Sequence, residues 1–291
     1  MTAAACTGGL DIGFASLDFL QIGFLGIIQG ITELLPISST AHMRIVPAVL
    51  GWRDPGSAFS AAMQLAALAA VLSYFWRDVR KLLTGSSVAI RERNFSDPSF
   101  RLAVGIVIAT IPIAIAGIAL SSLLNACNSP LRGLMVIGLS CLGMAILMGI
   151  SEITCSHQRS VGDMRLRDAL MVGLAQVGAL IPGVSRSGST LTGALFLNFK
   201  REDAAQFSFL IGLPAIALAG LKELWVLYQA HITADAWMHL LFGLLVASVS
   251  AFVAIWGLMK FLERFSTWPF VVYRAVLGIF LISAVSVGWL I

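Results

Sequence analysis

Gly26-Ile-Ile-Gln29-Gly-Ile-Thr-Glu33-Leu-Leu-Pro36-Ile-Ser38-Ser39-Thr40-Ala-His42 sets a polar break inside an apolar segment, and the fold follows from that break. It begins as an apolar segment, from Phe19, and then meets a carboxylate, a proline and a run of hydroxyls. A soluble helix could simply end there, but composition removes that option. The chain has 291 residues, 58% apolar and only 12% charged, with a mean hydropathy of +0.90. Soluble domains run at about 45–50% apolar and about 25% charged. So much apolar surface with so few charges has to face lipid. At membrane depth a polar break is tolerated only where protein buries it or a wet cavity receives it. The stretch therefore reads as a re-entrant hairpin, two short helices around a polar tip.

Ala169–Ser185 has the same form, interrupted at Pro182-Gly183 and Arg186 and continuing as Ser187–Phe199. Five uncharged runs are spans: Pro55–Trp76, Leu102–Leu131, Gly133–Ser151, Ala204–Leu221 and Ala236–Met259. A sixth runs from about Phe270 to Ile291, with Arg274 near its start. Each is close to or above the ~20 residues a spanning helix needs. The expected fold is an all-α integral membrane protein with six transmembrane helices and two re-entrant helical hairpins.

The net charge of +4 does not point to nucleic acid, because the bases gather in short loops between apolar runs. Arg77, Arg80, Lys81, Arg91 and Arg93 follow the first span. Arg159, Arg165 and Arg167 precede the second hairpin, Lys200 and Arg201 follow it, and Lys260 and Arg264 follow the fifth span. All fall on one face if the hairpins re-enter, and the positive-inside rule makes that face cytoplasmic. Asp11, Asp18, Asp54 and Asp235 go to the other. The N-terminus has no basic n-region, so a cleaved signal peptide is not expected. Cys6, Cys127, Cys141 and Cys155 form no CxxC pair and read as small apolar filler.

A shift of 147 positions superimposes Gly26 on Gly173, Gln29 on Gln176 and Ser38 on Ser185, and places Pro36 beside Pro182. The single membrane domain, 1–291, then divides into halves of about 17–124 and 166–259, with a linking helix at 131–150 and a C-terminal helix at 270–291. The first hairpin would enter from outside and the second from the cytoplasm. That inverted-topology repeat gathers a polar site near mid-membrane, where the broken helices meet.

The breaks carry the chemistry. Gln29 and Glu33 lie four apart on one helix face. Pro36 ends that helix, and Ser38, Ser39 and Thr40 suit the start of the next. His42 follows Ser38 by four and Ser39 by three, so its ring is expected to reach either hydroxyl. An ionisable residue inside a membrane is by default functional, which singles out Glu33 and His42. In the second break, Arg186 offers a fixed fork for phosphate beside backbone N–H groups at a helix start, and Ser187 and Thr190 are potential phosphate donors or plain caps. A carboxylate for a hard cation, Mg²⁺ or Ca²⁺, a phosphate cradle and a hydroxyl–imidazole pair point to phosphoryl chemistry on a lipid phosphate. The rival reading is a transporter or flippase of lipid phosphates, since broken helices in inverted repeats also build transporters.

GIIQGITELLPISSTAHMRI (26–45) and PGVSRSGST (182–190) resemble the two signature regions of the bacterial undecaprenyl-diphosphate phosphatases, the bacitracin-resistance family, and Ala62-Met-Gln-Leu-Ala resembles that family's following span. The resemblance covers almost the whole chain. It implies a multi-pass enzyme of the bacterial plasma (inner) membrane, its site open to the periplasmic face. The enzyme would hydrolyse undecaprenyl diphosphate and recycle the lipid carrier of peptidoglycan synthesis, with Mg²⁺ or Ca²⁺ as cofactor. Gln29 and Glu33 take the place of the family's acidic motif and metal site. Ser38, Ser39 and His42 take that of its serine–histidine region, and Ser185, Arg186, Ser187 and Thr190 that of its phosphate-binding segment. Many members have Glu where this chain has Gln29, a poorer metal ligand, so Glu33 carries more weight. The expected mechanism is in-line attack by Ser39, His42 or water, with Arg186 holding the transferred group. Arg44 would help attract the diphosphate. Partners are the polyprenyl diphosphate and membrane lipids, with no nucleic acid; the oligomeric state, a homodimer included, is left open.

Overall fold

The computed structural model describes residues 6–7, 10–124 and 130–290. Cys127 lies outside the described residues, as does the side chain of Cys6; Cys141 and Cys155 are free thiols. A pair of two-residue antiparallel strands, β1 (Cys6–Thr7) and β2 (Leu10–Asp11), precedes an otherwise helical chain. In order come α1 (Phe19–Leu34), α2 (Ser39–Leu50), α3 (Ser57–Tyr74), α4 (Trp76–Glu92), α5 (Pro98–Ala119), α6 (Ser121–Leu124), α7 (Leu134–Thr154), α8 (Leu166–Val177), α9 (Arg186–Phe196), α10 (Arg201–Gln229), α11 (Ala234–Leu262) and α12 (Trp268–Ser286).

Six of these, α3, α5, α7, α10, α11 and α12, are long and apolar enough to cross a membrane, and they fall on the six expected runs. The protein is a multi-pass membrane protein. On α5 the lipid side is legible: Val107, Ile111, Ile115 and Ile118 are exposed, while Gly105, Ile106, Ala109 and Thr110 are buried. The arms of the two broken hairpins, α1–α2 and α8–α9, have 16, 12, 12 and 11 residues. At 1.5 Å per residue none reaches the about 30 Å of a bilayer core, as re-entry requires. Three spans, α3, α5 and α7, separate the hairpins, and an odd number suits an inverted arrangement. The first arm of each hairpin packs closely on a span. A Cβ on Gly30 of α1 would lie 2.4 Å from the Ala247 carbonyl of α11, and one on Gly173 of α8 would lie 2.5 Å from the Ala109 carbonyl of α5. Lipid gives no hydrophobic drive between helices, so small residues that admit such contact hold them together.

Two polar faces close the bundle. On one, Arg201 at the start of α10 pairs with Glu152 at the end of α7, whose other oxygen accepts from the Thr267 hydroxyl at 2.8 Å. Beside them, Arg159 pairs with Asp168 of α8 at 2.5 Å. On the other face Arg132 lies 3.7 Å from Asp11, and Arg44 pairs with Asp54. Arg44 thus has an acidic partner of its own. The expected loop after the first span is instead the helix α4, whose Arg77, Arg80, Lys81 and Arg91 are all exposed and only Val79 and Ala89 buried. Its charges forbid it to span, and they do not forbid helix along a surface.

The breaks are tied together by Arg274 of α12, a guanidinium with no exposed surface. Its Nη1 donates to the Pro36 carbonyl at 3.0 Å, and its Nη2 to the carbonyls of Gly183 and Val184 at 2.8 and 2.9 Å. Gly183 has φ +96°, and a Cβ there would stand 2.6 Å from the Ile137 carbonyl of α7. Both the left-handed backbone and the close approach require glycine. Leaving buried carbonyls unpaired costs about 1–3 kcal/mol each. Arg274→Met is therefore expected to lower the melting temperature in detergent markedly, and Arg274→Lys, with fewer donors and no fork, to recover only part. A wild-type melting temperature for Arg274→Met would remove this role.

Candidate active site

Glu33 stands in the last turn of α1, almost fully buried at 6% exposure. Each carboxylate oxygen is engaged. Oε2 accepts from Gln29 Nε2, one turn back, at 3.0 Å, and from the Ser39 hydroxyl at 2.5 Å. Oε1 accepts from Arg186 Nη2 at 3.1 Å. Three groups predicted from the two motifs, Gln29, Ser39 and Arg186, thus meet at one carboxylate. Pro36 makes this possible by ending α1 and turning the chain, so that Ser39, first residue of α2, comes back over Glu33. Arg186, first residue of α9, enters from the second hairpin past Gly212 of α10. A Cβ on Gly212 would collide with Arg186 Nη1.

The two tips share a design. Ser38 (φ 73°) and Ser185 (φ 71°), 147 apart, both have the positive φ that non-glycine residues rarely adopt, and each caps the following helix. Their hydroxyls accept from Ala41 N at 3.4 Å and from Gly188 N at 3.1 Å. Two residues on, Thr40 lies 3.1 Å from Ser38 Oγ and Ser187 3.2 Å from Ser185 Oγ. Each of these then reaches across to the other tip. Thr40 Oγ1 accepts from Gly183 N at 3.4 Å, and Ser187 Oγ lies within 3.1–3.2 Å of the Leu35 and Glu33 carbonyls.

His42 sits differently from the expectation that its ring meets a serine hydroxyl. Nδ1 lies 2.7 Å from the Ser38 carbonyl and Nε2 2.5 Å from the Tyr273 hydroxyl, with the two rings stacked at 11°. The α2 helix points the ring back along its own axis, where a carbonyl waits at i−4. A carbonyl only accepts, so Nδ1 carries a proton, and in the neutral ring Nε2 accepts from Tyr273. Thr190 is fully buried; its hydroxyl lies 2.7 Å from the Arg186 carbonyl and also bonds Ser208 of α10. Arg274, Tyr273 and Gly212 escaped the sequence reading. A charge within a span was a signal for Arg274, but its place near the span's start made it look interfacial. Nothing in a single sequence marks Gly212.

Among the described residues no three His, Cys, Asp or Glu side chains group to hold a metal. A hard cation nonetheless fits in the way Mg²⁺ commonly binds, through one or two protein oxygens with phosphate and water supplying the rest. Glu33 would be the carboxylate for it, and the Gln29 amide oxygen, which accepts no hydrogen bond from a described residue, would be the second donor.

Fold and site together define a multi-pass membrane protein with a buried carboxylate–guanidinium–hydroxyl centre where two broken hairpins meet. The chain belongs to the bacitracin resistance protein BacA family, whose model matches residues 22–280. It is 69% identical over 263 residues to undecaprenyl-diphosphatase 2 of Mesorhizobium japonicum, covering 90% of this chain and 100% of that one. It is 45% identical over 277 residues to the undecaprenyl-diphosphatase of Trichormus variabilis, covering 95% and 87%. To that of Gloeobacter violaceus it is 48% identical over 266 residues, covering 91% of each.

Removing one partner of a buried ion pair costs about 3–5 kcal/mol because the other charge stays uncompensated, whereas removing both can be nearly neutral. Arg186→Met is thus expected to melt well below the wild type, and Glu33→Gln/Arg186→Met above Arg186→Met alone. Equal melting of the single and double variants would show that the pair does not couple.

Proposed function

We propose that this protein is an undecaprenyl-diphosphate phosphatase of the bacterial inner membrane. It hydrolyses undecaprenyl diphosphate to undecaprenyl phosphate and inorganic phosphate, and so returns the lipid carrier to peptidoglycan synthesis. The observation that carries this reading is Glu33, held between the Ser39 hydroxyl at 2.5 Å and Arg186 at 3.1 Å. The first contact is that of a nucleophile with its base. The second is a fork for phosphate oxygens brought in from the other half of the chain. A transporter of lipid phosphates has use for the fork and none for a hydroxyl bonded to a carboxylate.

The terminal phosphoryl group enters beside Arg186, which exchanges a Glu33 oxygen for phosphate oxygens and spreads the charge that builds in the transition state. Ser39 Oγ attacks the terminal phosphorus, its proton passes to Glu33 Oε2 and on to the bridging oxygen as that bond breaks, releasing undecaprenyl phosphate and leaving Glu33 ionised. Water then attacks the phosphoserine, giving a proton to Glu33, and inorganic phosphate leaves as Ser39 regains its own. His42 is less suited to attack, since Nδ1 is bound to a carbonyl and Nε2 faces Tyr273. Its place next to the Ser38 carbonyl suits it to fix the turn that presents Ser39. Glu33 and Gln29 would hold the Mg²⁺ or Ca²⁺, which when bound neutralises phosphate charge. The face that gathers most of the lysines and arginines reads as cytoplasmic, leaving the face of Arg44 and Asp54 as the one open to the periplasm.

The decisive measurement is phosphate release from undecaprenyl diphosphate by the purified protein with Mg²⁺, with Ca²⁺ and with a chelator. Release that needs a divalent cation is expected. Ser39→Ala and Glu33→Gln should each lower kcat about 10²–10⁴-fold, and rapid acid quenching should trap phosphoserine, which survives acid where phosphohistidine does not. Gly212→Ala should lower kcat/KM about 10²-fold by displacing the Arg186 guanidinium, although residue 212 never meets substrate. Full activity in Ser39→Ala would transfer the attack to water or His42. Absence of release by folded protein under every metal would leave the transporter reading.

A further inference from the structure

α1 and α11 run in the same direction side by side. Gly26 meets Gly243 and Val246, and Gly30 meets Ala247, Ser250 and Ala251. Then α1 ends at Leu34, while α11 goes on to Leu262. Three turns of α11 are left without their neighbour, about 16 Å from Ser250 to Phe261 at 1.5 Å per residue. The vacated space is a groove of about 610 Å³, bounded by Ile31 and Leu35 above, Ala254, Gly257 and Leu258 along the floor, and Phe270 of α12 at the far end. Its one polar side chain, Ser250, bonds the Val246 carbonyl of its own helix at 2.8 Å. A Cβ on Gly257 would meet no atom within 4 Å, so the floor is open.

This groove abuts the site. The Leu35 carbonyl lies 3.1 Å from the Ser187 hydroxyl, next in sequence to Arg186. Leu258 lines the groove on one side and, on the other, a narrow seam beneath Pro36 and Ser187. The geometry points to the groove as the seat of the substrate's polyprenyl chain, its first isoprene units passing Leu35 and lying along α11 towards Phe270. The inference rests on the reading of the protein as a polyprenyl-diphosphate phosphatase. That substrate joins an apolar chain directly to the diphosphate that Glu33 and Arg186 receive. A chain leaving a polar centre at the end of α1 finds here an adjoining surface whose single polar side chain, Ser250, is already bonded within its own helix. Burying it there would bind ground state and transition state alike, and so lower KM without changing kcat.

The test uses the full-length protein in lipid nanodiscs. A polyprenyl monophosphate with a diazirine on its second isoprene unit is photolysed in place, and the labelled peptides are mapped. Labelling within 250–261 and at Leu35 is expected. Labelling elsewhere, or labelling here that excess phosphatidylethanolamine removes, would overturn the proposal, the second because an ordinary acyl chain would then be the occupant. In parallel, Gly257→Phe fills the groove from an open position and should melt like the wild type. Its KM for undecaprenyl diphosphate should rise about tenfold with kcat unchanged, while inhibition by isopentenyl diphosphate, too short to reach Gly257, should not change. An unchanged KM would also overturn the proposal. If the wild type releases no phosphate yet the probe labels 250–261, the phosphatase reading fails and the groove stands; hydrolysis with labelling elsewhere is the reverse.

Discussion

Two broken hairpins bring helix ends into the middle of the bundle, and a helix that ends there leaves backbone carbonyls that lipid cannot satisfy. Arg274 meets that constraint with one fully buried guanidinium shared among Pro36, Gly183 and Val184. A lysine would place a point charge there; the fork reaches two tips at once. Because the carbonyls belong to both hairpins, satisfying them also fixes the distance between the hairpins. Everything at Glu33 depends on that distance, since the carboxylate comes from one tip and Arg186 from the other.

The same constraint explains why a polar centre can exist here. Ser38 and Ser185 carry strained positive φ angles, a local cost of order 1–3 kcal/mol each that persists only where the surroundings over-determine it. Their caps, the crossed contacts of Thr40 and Ser187, and Arg274 supply that over-determination. The result is a rigid pair of helix starts aimed at one carboxylate. Preorganisation of this kind is what electrostatic catalysis requires, because donors already in place do not reorganise as charge develops. The half-length of α1, needed to bring Glu33 to depth, has a second consequence: it uncovers α11 and creates the apolar groove beside the site.

Much of this was legible in the residues. The spans followed from uncharged runs of bilayer length, and the hairpins from polar breaks that lipid forbids. Glu33, Ser39 and Arg186 stood out because hydroxyls, a carboxylate and an arginine at such breaks have few structural reasons to be there. The likeness of the two tips is visible in Gly26, Gln29 and Ser38 against Gly173, Gln176 and Ser185. Helix α4 is a helix where the charges suggest a loop, because charge excludes spanning without excluding helix. Arg44, expected to attract the diphosphate, is paired with Asp54, which lies across a turn.

Architecture and chemical inventory follow from the residues taken one segment at a time, because hydropathy, charge and helix-breaking residues act locally and lipid punishes every exception. Which groups become partners is a matter of packing. Only the docking of two hairpins against α10 and α12 turns His42 to Tyr273 and not to a serine hydroxyl, seats Arg186 in the space of the Gly212 hydrogen, and gives Arg274 to three carbonyls. Those contacts join residues 90 to 238 positions apart, or depend on the absence of a side chain. Chain spacing carries no trace of either, since which surfaces meet is settled by the packing of whole helices.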